Sequence, residues 1–441
     1  MPIPLRPEEL LWFNERYASL EIEGDYCVIR IKDRSVYSVE KFKQSLAHMT
    51  RAQGNRQMSL AEGWLADEGR RHFPFGVIFD PSSPPTAYDP ESPSQPDRFN
   101  LFRGFPVDPI EGDVAPFLDF TLNTICNGDK NLFEYVMAWL ANIIQDPTKK
   151  PGTALVLRGD QGIGKGFFAS CLGAVLGYHY LEVNDPVYLV GRFTHHLRDK
   201  LVIYADEGSF SGRKATDKLK NMITSEQVLI EQKFRTPYNV DNFMRIIISG
   251  NHERLIAASH DERRYCVLDV SQRRKGDWAY WGEMFKWRDN EGAAALLHYL
   301  QECEIKINLR EVPKTGALWE HKLQSLDDFW KWYLDCLFLG NLGTGKKWEG
   351  WHPSDTMLTS FLGHCGRVYD RSSATQFGMQ LMKRVPRVSK SRAALGGRQA
   401  YGYRFPPLHE CRRAFEERFG EELDWPEVAP NLTVVEGQNA P

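Results

Sequence analysis

Gly159-Asp160-Gln161-Gly162-Ile163-Gly164-Lys165-Gly166 decides how the chain folds. The stretch follows a short apolar run at 154–157, read as a buried strand, and opens a helix expected over 165–176. Glycines let the backbone turn tightly, so that successive N–H groups point into one concavity, and the helix N-terminus adds its positive end. Lys165 can then reach the outer phosphates of a nucleotide. Gly159, Asp160, Gln161, Gly162, Ile163, Gly164, Lys165, Gly166 and Phe167 are therefore the candidate nucleotide-binding residues, with ATP as the expected ligand. One position departs from the usual pattern. The residue after the lysine is ordinarily Ser or Thr, whose hydroxyl binds Mg²⁺. Here it is Gly166, so water and downstream acids must complete the metal shell, or hydrolysis is slow.

Further apolar runs extend the pattern. Residues 201–205 end in Asp206-Glu207. Mg²⁺ takes hard oxygen ligands and keeps several waters, so Asp206 is the candidate metal ligand and Glu207 the group that orients or deprotonates an attacking water, with a share in the metal site. Residues 245–249 lead into Gly250-Asn251, and Asn251 at a strand tip can hydrogen-bond a terminal phosphate or the water. Residues 265–270 form a fourth run, preceded by Arg263 and Arg264, either of which can neutralise charge on a neighbouring copy's nucleotide. Buried strands alternating with helices predict an α/β sheet.

The whole chain sets the bounds. Its 441 residues suggest several domains. With 55 basic and 58 acidic residues the net charge is −3, which excludes a globally polybasic nucleic-acid coat but not segregated basic patches. No apolar run is long enough for a membrane span, the N-terminus has no signal core, and eight scattered cysteines make neither a zinc pattern nor a disulfide framework. These features predict a cytoplasmic protein with no membrane partner.

Residues 1–80 read as a mixed α/β domain. Six prolines fall within 81–96, so 81–97 reads as a linker or surface strap. A helical subdomain is expected at 98–150, where Leu132, Phe133, Val136, Met137, Leu140, Ile143 and Ile144 recur at helical spacing until Asp146-Pro147. The nucleotide core then runs over 151–290, a helical connector over 291–345, a small helix-rich unit over 346–420 and an acidic tail over 421–441. Between Lys383 and Arg404 lie seven basic residues and no acid, with Gly396-Gly397 at the turn of an expected hairpin. Two helices followed by a basic hairpin resemble a winged helix. Lys383 and Arg384 would face a DNA groove with Gln376 and Gln380, and Arg387, Lys390, Arg392 and Arg398 would extend the basic surface toward the backbone.

In this order the phosphate loop, Asp206-Glu207, a lysine-bearing segment, Ser249-Gly250-Asn251 and Arg263-Arg264 resemble the superfamily 3 helicases, closest to the primase-helicases of phages, plasmids and large DNA viruses. Gly191-Arg192-Phe193, Leu197, Lys200 and Asn100-Leu-Phe-Arg-Gly-Phe extend the likeness, which is good over 98–290 and looser outside. The resemblance implies an AAA+-like P-loop NTPase core with an N-terminal helical collar and a C-terminal winged-helix domain. It also implies a hexameric ring that hydrolyses ATP with Mg²⁺ and moves 3′ to 5′ on single-stranded or forked DNA. Lys233, Phe234 and Arg235 match the family's pore hairpin, where a cation meets phosphate and an aromatic ring packs on sugar or base. Arg264, or Arg263, matches the trans-acting arginine. Residues 1–97 lack an obvious acidic pair on adjacent strands, so a helicase part working beside a primase or DNA polymerase is expected. The alternatives are a nucleotide-switched replication initiator or loader, which Gly166 favours, and an ATPase of another kind.

Overall fold

The computed structural model describes residues 4–22, 24–53, 55–86, 97–185, 187–206, 213–233, 237–251, 263–316, 319, 323, 326–366, 371–420 and 422–426. They fall into two compact units, the first through Thr315 and the second from Gly316.

At the centre of the first unit is a five-stranded parallel sheet. Its spatial order is Tyr180–Val183, Val202–Ala205, Arg245–Gly250, Ala154–Arg158, Tyr265–Asp269. Parallel sheets are covered on both faces, which is why the other four segments read as apolar runs, while the edge strand Tyr180–Val183, with exposed Glu182, does not. Every residue of Ala154–Arg158 is buried. The Lys130–Gln145 helix starts on Asp129, whose side chain accepts from Asn131 N and Leu132 N, and stops before Pro147. Arg245, buried at the start of its strand, donates to the carbonyls of Asp146 (3.0 Å) and Pro147 (2.5 Å) and to Asn142 Oδ1 (2.7 Å), so a cation meets the helix C-terminus.

The proline-rich stretch does not separate compact units. Leu20, Ile29, Phe73 and Phe79 share one apolar core with Phe99, Tyr135, Leu155 and Leu172. Asn100 explains how. Its Oδ1 accepts from Asp80 N (3.0 Å), its Nδ2 donates to Asp80 O (2.9 Å), and its N–H donates to Thr86 Oγ1 (2.8 Å), tying both flanks of the stretch together. Residues 87–96 lie outside the described residues. The expected collar and nucleotide core likewise share that unit. The Ala293–Glu302 helix, expected in the connector, joins them: Gln145 Nε2 donates to Leu300 O and Cys303 O, both at 2.7 Å.

The second unit packs the helices Asp328–Leu339, Ser354–His364, Arg371–Arg384 and Leu408–Phe419 around Phe329, Trp332, Leu337, Met357, Phe377, Tyr403 and Phe415. Its sheet runs Trp351–Pro353, Arg398–Arg404, Ser389–Leu395, antiparallel throughout. Gly396 and Gly397 turn the hairpin at φ +57° and +77°, a conformation that glycine adopts without strain. The Asp328–Leu339 helix belongs to this core, so the connector expected over 291–345 divides between the two units. Among the described residues no helix is long and apolar enough to cross a membrane.

Candidate functional site

The Gly-rich turn lies between the Ala154–Arg158 strand and the Lys165–Leu176 helix. Gly159, Gly162 and Gly164 take φ of +146°, +76° and +108°. Gly164 is the tightest of these positions. A Cβ there would meet Trp281 Cη2 at 2.4 Å and Phe120 Cε2 at 2.9 Å. The turn is therefore clamped from outside by two aromatic rings while its backbone faces a cleft of about 680 Å³. Lys165, 7 % exposed, donates its Nζ to the carbonyls of Gly159 and Asp160, the latter at 2.6 Å, and so is held at the base of the turn.

Lys165, Gly166 and Phe167 form one side of the cleft, and Asp206, Gly250 and Asn251 lie on it too. Three separate strand ends thus bring the glycine-turn residues, the acid and the amide to one place. Glu207 lies outside the described residues. Asp206 is placed by two hydroxyls: Tyr204 Oη donates to its Oδ1 at 2.9 Å, and Ser249 Oγ donates to the same oxygen. Tyr204 Oη and Ser249 Oγ are 2.8 Å apart. Burial pushes the Tyr204 phenol up, so it stays a neutral donor. The apolar run 201–205 hid this tyrosine, although alternation along a strand puts residues 204 and 206 on one face.

The donor set fits a nucleotide with Mg²⁺. Residues of the loop would hold phosphates through backbone N–H groups and Lys165, and Asp206 would hold the cation directly or through water. Mg²⁺ needs only one or two carboxylates beside phosphate oxygens. A Cβ on Gly166 would meet only Tyr204 Oη, at 4.0 Å, so nothing in the packing demands glycine there.

A further part of the cleft lining was not anticipated. Lys275, Gly276, Trp278, Trp281, Gly282 and Phe285 form it, mostly from the Trp278–Trp287 helix. Lys275 Nζ pairs with Asp160 at 2.8 Å.

Arg263 and Arg264 are elsewhere. They precede the Tyr265–Asp269 strand, and Ala154 N donates to Arg264 O, so both sit at the start of parallel strands whose far ends carry the loop. Five strand residues separate the two edges by roughly 16 Å. The pair lines a second cleft, of about 650 Å³, with Lys149, Lys150 and Arg310. Burial and nearby Arg245 push Lys150 down to about 7.

Lys233 is exposed in the connection between the antiparallel strands Gln227–Ile230 and Tyr238–Asp241. Phe234 and Arg235 lie outside the described residues. In the second unit Lys383, Lys390, Arg392 and Arg398 are exposed. Arg392 packs on Tyr401 at 4.3 Å and Lys390 at 4.8 Å. Two of the expected DNA-contacting residues are engaged in ion pairs, Arg384 half-buried and Arg387 exposed. Arg384 ion-pairs with Asp327 at 2.6 Å and lies 5.2 Å from the Phe329 ring, and Arg387 pairs with Glu410 at 3.1 Å. Asp327 caps the Asp328–Leu339 helix, so Arg384 reinforces a cap, a role invisible in a run of basic residues.

Residues 157–264, which span the loop, Asp206 and Asn251, match a family described as a family of unknown function, DUF5906. Over 240 residues, 50% of this chain, the sequence is 25% identical to the DNA primase-polymerase of Nitratiruptor phage NrS-1, and spans 33% of that protein. In fold the chain is similar to the apo NrS-1 C-terminal region, residues 305–718. The TM-score is 0.66 at 18% identity, covering 91% of this chain and 100% of that one. An A-form apo structure of the same region gives 0.65 at 17% identity, covering 90% and 98%.

Proposed function

We propose that the chain is the nucleotide-driven DNA-translocating part of a phage-type replication protein: a P-loop, AAA+-like ATPase of the superfamily 3 helicase kind. One observation carries this reading. Lys165, Asp206 and Asn251, from three strand ends, line one cleft beneath a glycine turn with three positive φ values. A replication role is further supported by the likeness to a phage DNA primase-polymerase. The solved structures that match are of that protein's C-terminal region, and this chain spans a third of the whole, so the primase-polymerase activity of that protein need not reside in the shared part.

In this reading ATP with Mg²⁺ supplies the free energy of hydrolysis. The loop N–H groups and Lys165 bind the phosphates, Asp206 orients the cation, and Asn251 and Glu207 position water. Arg263 and Arg264, on the far edge of the sheet, act on a neighbouring copy in a ring. Lys233, Phe234 and Arg235 engage single-stranded DNA, and the winged-helix-like second unit contacts duplex through Lys390, Arg392 and Arg398. A forked-duplex unwinding assay with ATP and Mg²⁺ tests this. Unwinding abolished by Lys165→Ala, and by Lys233→Ala with ATPase retained, is expected. Primer synthesis from nucleotides without strand separation would instead make the chain a nucleotidyltransferase.

Gly166 favours a second reading, a nucleotide-switched initiator or loader. Tight ATP binding without DNA-stimulated turnover selects it.

A further inference from the structure

The part of the cleft lining that comes from the Trp278–Trp287 helix has a feature that phosphate binding does not use. Trp278, Gly282 and Phe285 stand at i, i+4 and i+7 of one helix, hence on one face, and all three line the cleft. Trp278 is 83 % exposed and Phe285 42 % exposed. Large aromatic rings left open beside a polar loop need a reason, because burying them is what a fold ordinarily does.

Their neighbour Trp281 shows the contrast. Its ring is buried against Phe120 (5.7 Å between centroids) and over Gly164, and its Nε1 donates to Arg274 O at 2.9 Å. Trp281 serves the fold. Phe285 meets Phe167 edge-on at 5.2 Å, which fixes this helix to the loop helix. Trp278 opens the helix, whose N-cap Asp277 accepts from Tyr280 N.

Gly282 is the second observation. Glycine inside a helix is unfavourable relative to alanine. Gly173 and Gly292 have a packing reason, since a Cβ would meet Tyr180 at 3.1 Å and Trp287 O at 2.4 Å. At Gly282 a Cβ would meet nothing within 4 Å. The missing side chain leaves a gap between two rings set about 10 Å apart along the helix axis.

We propose that this gap seats the base of the nucleotide held by the loop, with Trp278 as the stacking platform, Gly282 as the floor and Phe285 as the far wall. The proposal rests on the reading of residues 159–166 as a phosphate site. Lys275 on this wall is engaged with Asp160, so recognition proceeds through stacking area more than through hydrogen bonds to base edges. The site therefore takes purine nucleoside triphosphates in preference to pyrimidine ones and distinguishes poorly between adenine and guanine.

Calorimetric titration of the full chain with ATP, GTP, CTP and inorganic tripolyphosphate, each with Mg²⁺, tests this. ATP and GTP should bind within about threefold of each other, and CTP more weakly. Removing one stacking ring costs on the order of tenfold to a hundredfold. Trp278→Ala should thus bring ATP affinity down toward that of tripolyphosphate while leaving tripolyphosphate unchanged, and Gly282→Leu should do the same by filling the gap. Trp278 is exposed, so its removal leaves the melting temperature in place. Wild-type ATP affinity in both variants, or equal ATP and tripolyphosphate affinity in the native chain, overturns the base site and leaves the loop reading intact. Binding of neither ATP nor tripolyphosphate by the native chain overturns the loop reading itself, and the base site with it.

Discussion

Tyr204 Oη donates to Asp206 Oδ1 at 2.9 Å from a fully buried ring, and Ser249 Oγ shares the same oxygen. The acid that faces the cleft is therefore held by the strand it ends and by the strand beside it. Hydrogen bonds to a charged acceptor contribute roughly 1.5–3 kcal/mol. Tyr204→Phe should cost about 1–2 kcal/mol in urea denaturation, since Ser249 remains. It should also raise several-fold the Mg²⁺ concentration needed for nucleotide binding. Ser249→Ala should behave alike, and the double variant should be non-additive because both donors serve one atom. Additive losses would separate the two hydroxyls.

The two glycines that flank Lys165 should respond in opposite ways to a side chain. Gly164 has φ +108° and rings within 2.4–2.9 Å of a Cβ, so Gly164→Ala should lose at least ~2 kcal/mol and nucleotide binding with it. Gly166 has open space, so Gly166→Ser should stay within about 1 kcal/mol of wild type by thermal melting. The new hydroxyl should raise Mg²⁺-dependent ATP turnover. Unchanged turnover in a folded Gly166→Ser would mean that Asp206 and water already satisfy the metal.

His179 makes the fold acid-sensitive. Its ring is fully buried, stacked on Phe102 at 4.9 Å; Nδ1 lies 2.8 Å from Asp199 O, and Nε2 accepts from Arg103 N at 3.0 Å. Burial lowers it from 6.5 to about 4. Between those values the unfolded chain binds a proton that the folded chain does not, so stability falls as pH drops from 6.5 toward 4. The full loss is about 3 kcal/mol. Urea midpoints over pH 4–7 should show that slope, and His179→Gln should flatten it even though its baseline stability is lower.

In the proposed function, phosphate contact falls to the exposed cations of the Ser389–Leu395 and Arg398–Arg404 strands. Replacing Lys390, Arg392 and Arg398 together by alanine should weaken DNA binding by at least about tenfold at moderate salt. The loss should be uniform across sequences, with the salt slope reduced by about 2–3. Arg384→Ala should instead lower stability through Asp327 and leave the slope unchanged. An unaltered slope in the triple variant would move the DNA surface elsewhere.

The central strands, the loop and the helix at 165–176 are legible in the sequence because burial on both faces leaves unbroken apolar runs, and because a turn that needs positive φ selects glycine. The basic hairpin is legible from its Gly-Gly turn and alternating cations. The limits of the first unit are not. Six prolines signal a linker locally, but Asn100 bonds to Asp80 and Thr86 across them, and such long-range pairing leaves no periodic trace. The same holds for Arg384, whose partner Asp327 is 57 residues away.

Sequence alone settled the chemistry available near Lys165: a glycine turn, a lysine, and acids and amides at apolar strand ends, with a glycine where a hydroxyl is usual. These depend on local backbone needs and on side-chain type, which neighbouring residues suffice to reveal. Tertiary structure alone decided which groups share the cleft. It placed Tyr204 and Ser249 on Asp206, sent Arg263 and Arg264 to the opposite edge of the sheet, and brought Trp278, Gly282 and Phe285 into the cleft beside the loop. Those placements follow from strand order and helix packing, which join residues far apart in the chain through bonds and contacts that no local pattern encodes.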